Sequence, residues 1–112
     1  MSNARLPTEL WVKAHIARCS SIGVPITVIK RGDPDSGIVI LKLNRFEAGW
    51  EVQMQGRDEN GAVVWQPALE GRRVQETDAD AFIERQRNYD PDIWVIEIED
   101  REERNLFENQ EM

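Results

Sequence analysis

The stretch DIWVIEIEDREERN, residues 92–105, opens as a strand fit for a protein interior and closes as a run of charge. In a strand, side chains alternate between faces. Ile93, Val95, Glu97 and Glu99 therefore share one face, and Trp94, Ile96, Ile98 and Asp100 share the other. Two carboxylates about 7 Å apart on one strand face can hold a hard cation if loop carboxylates join them. Asp90 and Asp92, just before the strand, are the available ones, so Asp90, Asp92, Glu97 and Glu99 form a candidate metal site. The segment also echoes a nuclease pattern, Pro-Asp followed by Glu-x-Lys. Glu99 stands where the lysine would be, which removes the cation that steadies a scissile phosphate. The plainer reading is that the strand leaves the core at Glu97 and its acids face solvent. That is the expectation adopted here.

Working back from this strand, TDADAFIERQRNY (77–89) reads as an amphipathic helix. Thr77 suits its N-cap, Asp78 and Asp80 suit its positive end, and Ala79, Phe82, Ile83, Gln86 and Tyr89 share a face. The Asp90-Pro91 step ends it. Gln86 lies at the centre of the apolar face, where a buried amide needs a hydrogen-bond partner. GWEVQMQG (49–56) alternates cleanly, with Trp50, Val52 and Met54 inward, and RDENG turns it into AVVWQP (62–67). PITVIK (25–30) and GIVILKLN (37–44) are β-branched strands joined by RGDPDSG; the second is apolar on both faces, as a central strand would be. A first helix runs from Pro7 to about Ser21. Trp11, Val12, His15, Ile16, Cys19 and Ile22 lie on one arc, while Leu10, Ala14, Ala17 and Ser21 form a second stripe. Two apolar sides imply burial on both, or contact with a second copy.

The order α-β-β-β-β-α-β, rich in hairpins, predicts an α+β domain over residues 5–100, with a mainly antiparallel five-stranded sheet and two helices. The 112 residues suit one modest core, and 40% hydrophobic content with four tryptophans suits a packed globule. Net charge is −7, and residues 97–112 hold seven acids against Arg101 and Arg104. Residues 101–112 therefore read as an acidic tail that frays. An acidic chain repels phosphate backbones, which weighs against nucleic acid. One cysteine excludes an internal disulfide, no apolar run approaches a bilayer span and no signal-peptide pattern precedes the first helix, so a cytoplasmic protein is expected.

Three blocks, RLPTELWVKAHIARC, VIKRGDPDSGIVILKLN and ERQRNYDPDIWVIEIEDRE, resemble a small bacterial family catalogued as number 1491 in the series of domains of unknown function. The resemblance spans roughly residues 5–104 in order. It implies one domain of about this length and carries no activity, cofactor or catalytic residue.

The remaining candidates each have an ordinary alternative. Asp33, Asp35 and Gly37 match the first half of a calcium loop, but no glutamate completes it, and Asp-rich turns bond their own backbone. His15 and Cys19, four apart on one helix face, can present two zinc ligands or a Cys–His pair. As the only histidine and cysteine, set among Trp11, Val12 and Ile16, they read better as core residues. Arg72, Arg73, Arg85 and Arg87 suggest an anion patch, although Arg85 and Arg87 point to different sides of their helix. The acidic tail can also fold over these arginines. No cofactor motif is present. The sequence thus favours a non-catalytic protein–protein interaction module, either a homo-oligomer or one that binds another protein. A metal-dependent hydrolase or nuclease using Asp90, Asp92, Glu97 and Glu99 is the alternative, and a small-anion binder a third.

Overall fold

The computed structural model describes residues 7–103, without the Arg57 side chain. Helix α1 (Thr8–Ser21) is followed by strands β1 (Ile26–Lys30), β2 (Val39–Asn44), β3 (Trp50–Arg57) and β4 (Val63–Pro67), then helix α2 (Glu76–Tyr89) and strand β5 (Trp94–Glu99). The element order is the one read from the sequence, and the fold is α+β. Residues 104–112, the greater part of the expected tail, lie outside the described residues, as do residues 5 and 6 at the expected start of the domain.

The sheet order is β1-β5-β2-β3-β4. The last strand in the chain therefore lies between the first two. It runs antiparallel to β1 and parallel to β2, whereas β2–β3 and β3–β4 are antiparallel hairpins. The sheet is mixed, with one parallel pair. RGDPDSG does not close a hairpin; it carries the chain past β5 to β2. Nearly continuous apolar runs suit strands covered on both faces, and β2 and β5 are covered in this way. α1 closes one face over Val39, Leu41, Leu43, Trp94, Ile96 and Ile98. α2 closes the other over Ile40, Val52, Ile93 and Val95, with Ala79 and Ile83 as its buried contributions.

This burial corrects three expectations. β5 does not leave the core partway: Ile98 is fully buried and Asp100 is 3% exposed. Within the chain α1 buries one side, Trp11, Val12, His15 and Cys19 facing the sheet, which sets aside burial on both sides but not contact with a second copy: Leu10, Ala14, Ala17 and Ser21 are exposed, as is Ile22, expected on the buried arc. α2 begins at Glu76 after Gln75, so Thr77 is inside it, and Tyr89 is turned out to solvent.

The loop between β1 and β2 anchors α1. The first helical N–H groups have no partner within a helix. Here the Asp35 and Pro34 carbonyls accept from Thr8 N (3.2 Å) and Glu9 N (2.9 Å), and Thr8 Oγ1 donates to Gly37 O (2.8 Å). The same loop lies against β5, where Trp94 Nε1 donates to Asp33 O at 2.8 Å. Gly32 makes this approach possible, because a Cβ there would stand 2.1 Å from Asp92 O. Gly32→Ala is predicted to destabilise the domain by about 1–3 kcal/mol, as overpacking does. Urea unfolding beside the wild type measures it, and an unchanged midpoint would show that the loop is not tightly docked.

Candidate functional site

Glu97 in β5 and Asp100 just past it meet two cations, Lys42 in β2 and Arg45 just past it, one on each face of the sheet. On the α2 face, the parallel register sets Lys42 directly opposite Glu97. Lys42 is 6% exposed. Its Nζ lies 2.8 Å from Glu76 Oε2, 2.7 Å from Asp80 Oδ1 and 3.6 Å from Glu97 Oε1, and 4.8 Å from the Trp50 ring centre. Glu76 and Asp80 are one helical turn apart, so both reach the same ammonium. Burial pulls the Lys42 pKa down, but the hydrogen bonds it donates to Asp80 and Glu76, together with their negative charges, outweigh it and the net shift is upward. Lys42 therefore stays charged and is no nucleophile.

At the end of β2, on the α1 face, Arg45 is 3% exposed. It donates to the Asp100 carbonyl (3.0 Å) and carboxylate (3.2 Å), and to Glu51 Oε1 (3.1 Å). Glu51 also meets Arg73 at 3.5 Å, and Arg73 grips Glu103 through both terminal nitrogens, at 2.6 and 3.2 Å. The Arg73 fork holds the Glu103 carboxyl below the usual carboxylate range. The tail thus begins with a contact to one of the arginines considered above.

The four residues of the candidate metal site do not converge. Asp90 Oδ1 accepts from Asp92 N at 3.0 Å, closing a turn. Glu97 lies five residues beyond Asp92, about 16 Å along an extended strand. Glu97 faces Lys42, and Glu99 stands beside Asn44 with its N–H given to Pro25 O. Among the described residues, no group of three or more His, Cys, Asp or Glu is placed to hold a metal ion. Asp33 accepts from Ser36 N (2.8 Å), Ser36 Oγ (3.1 Å) and Asp35 N (3.1 Å), and these bonds, that from Ser36 N foremost, lower its pKa. The Asp33–Gly37 stretch is a turn. His15 Nδ1 donates to Trp11 O (2.9 Å), and its ring centre sits 4.1 Å from that of Trp11. Cys19 is buried, and that burial raises its thiol pKa.

The arginines are spread over separate neighbours: Arg72 on Glu70, Arg73 on Glu51 and Glu103, Arg85 over Phe82, Arg87 on Glu84. Gln86 is half-buried. Lys42 and Arg45 were not singled out in the sequence. Lys42 did leave a signal, as the only charge in GIVILKLN, a strand otherwise apolar on both faces.

The chain matches the family model described as "Protein of unknown function (DUF1491)" over residues 6–108. It is similar to the crystal structure, at 1.87 Å resolution, of a DUF1491 family protein from Caulobacter crescentus CB15. The TM-score is 0.80 and identity 37%, covering 90% of this chain and 94% of that one. An NMR structure of a DUF1491 family protein from the same organism gives 0.79 and 36%, covering 93% and 94%. A solution structure of a protein from A. tumefaciens gives 0.76 and 25%, covering 92% of each chain. Comparison with curated proteins found no match.

The geometry of Lys42 predicts an asymmetry. Breaking a buried pair by stranding its charge costs far more than replacing the charge with an apolar side chain. Combining Glu76→Gln with Asp80→Asn leaves Lys42 with Glu97 alone and is predicted to cost about 3 kcal/mol. Lys42→Met lets the half-exposed Glu76 and Asp80 return to water, with only Glu97 at 23% exposure losing its cation, and is predicted to change stability by less than about 1 kcal/mol. Denaturant unfolding of both variants tests the ordering. Because folding raises the Lys42 pKa, its contribution is complete below the ordinary value of 10.5 and is lost as pH rises through the higher folded value. Wild-type stability is therefore expected to fall more steeply than that of Lys42→Met above that pH, and parallel curves would contradict the assignment.

Proposed function

The chain belongs to the DUF1491 family of proteins of unknown function, and from that premise we propose that it is a non-catalytic interaction module that pairs with a second copy of itself. The observation that supports this is where the acids lie. A chain with a net charge of −7 resists meeting its own copy unless the meeting surface lacks like charge. α1 carries one acid, Glu9, which is paired with Arg31. Its outward stripe of Leu10, Ala14, Ala17 and Ser21 is uncharged and exposed, with Leu10 half in water. Strand β4 carries no charged residue. In contrast, the acids that invite a catalytic reading are dispersed: Glu97 faces Lys42, Asp90 accepts from Asp92 N in a turn, and Glu99 stands beside Asn44.

Light scattering over a concentration series up to about 1 mM, the weak end of specific association, tests the proposal. The mass is expected to climb from one chain toward two. One-chain mass across the whole series would remove it.

A further inference from the structure

The sheet ends in two edge strands, β1 and β4, and they differ in construction. Edges are commonly kept from pairing by proline, lysine or a bulge. β1 has all three: Pro25 precedes it, Lys30 lies within it, and its register against β5 shifts between Val28 and Lys30. β4 pairs with β3 in unbroken register from Val63 to Pro67 and has no charged side chain. Pro67, at its end, is its one guard.

The ladder determines which backbone groups of β4 point away from β3. At one end Asp58 N donates to Ala62 O, and at the other Ala68 N donates to Val52 O. Antiparallel pairs alternate between bonded and non-bonded. Ala62, Val64, Gln66 and Ala68 therefore bond toward β3, while Val63, Trp65 and Pro67 direct their backbone groups outward. Pro67, which has no N–H, occupies one of the outward positions.

We propose that β4 pairs antiparallel with β4 of a second copy of this chain, about a two-fold axis through Val64. This deepens the self-association reading and rests on it. In that register the Val63 N–H of each copy donates to the Trp65 carbonyl of the other, and each Val63 side chain lies beside the other copy's Trp65. A β-branched residue beside an aromatic one is a favourable cross-strand pair. Both side chains are half-buried and on the face covered by α1, where Trp65 stacks on Trp11 at 5.8 Å. The seam contains no charge, so two acidic chains meet there without repulsion between the paired strands. One continuous sheet then runs through both copies.

Two variants and one exchange measurement test the register. Val63→Pro removes an N–H that bonds nothing in β3, and Val63→Lys installs the guard that β1 already has. Both are expected to hold one-chain mass at concentrations where the wild type reaches two, with unfolding midpoints in dilute solution close to the wild-type value. In the wild type, the Val63 amide is expected to exchange slowly in concentrated solution and rapidly on dilution. A two-chain mass unchanged by either folded variant, or a Val63 amide equally open in the dimer, overturns the β4 seam and leaves self-association standing. One-chain mass at every concentration overturns both. Should neither variant fold, the concentration dependence of Val63 exchange decides alone.

Discussion

The structure depends on the insertion of β5 between β1 and β2. A strand in that position has neighbours on both edges and helices over both faces, so its polar atoms lose contact with water along most of its length. Burying a carboxylate without a partner costs several kcal/mol or shifts it to the neutral form. A strand reading Ile-Glu-Ile-Glu-Asp is accommodated there with cations set against Glu97 and Asp100. β2 supplies them because it runs parallel to β5 in a register that sets Lys42 against Glu97. One step past the strand ends, Arg45 receives Asp100. The two cations are three residues apart and serve opposite faces, which continues the alternation of the strand from which they come.

This explains which parts of the fold were legible. The helices and strands follow from period and turn chemistry, which are local. Strand order follows from contacts across the chain, and there the hairpin-like RGDPDSG misled: its Asp33 turn and close-approach glycines belong to a loop docked on β5. A clue was present in the two least alternating strands. Residues 38–43 and 93–98 are both nearly continuous apolar runs, the mark of strands covered on both faces in parallel sheets, and they are the parallel pair.

For the candidate site, the sequence identified the acids but not what they bind. Glu97 and Asp100 stood out because charge in an apolar strand is conspicuous. Their partners lie about 55 residues away in the chain, and a spacing of that kind has no local signature. Lys42 was equally conspicuous by the same rule, as one charge in an apolar strand. Two buried strands carrying opposite charges at matching depth, Lys42 and Glu97, are themselves an argument for adjacency. Arg45 gave no such sign, since it sits where a strand ends and an arginine there is ordinary.

The insertion of β5 also organises what lies beyond its ion pairs. Its entry end fixes the β1–β2 loop, through Trp94 Nε1 on Asp33 O and Asp33 N on Asp92 O, and that loop supplies the carbonyls that cap α1. Each hydrogen bond is worth only about 1 kcal/mol net, but they act in series: the loop must be docked before it can cap the helix. The helix in turn covers the α1 face of β5. Its exit end, through Asp100, fixes Arg45 and so the turn into β3, and Glu51 passes the constraint on to Arg73. β4 lies furthest from these anchors, joined to the sheet through β3 alone. The β4 seam proposed above therefore draws on the edge that carries the least of this network.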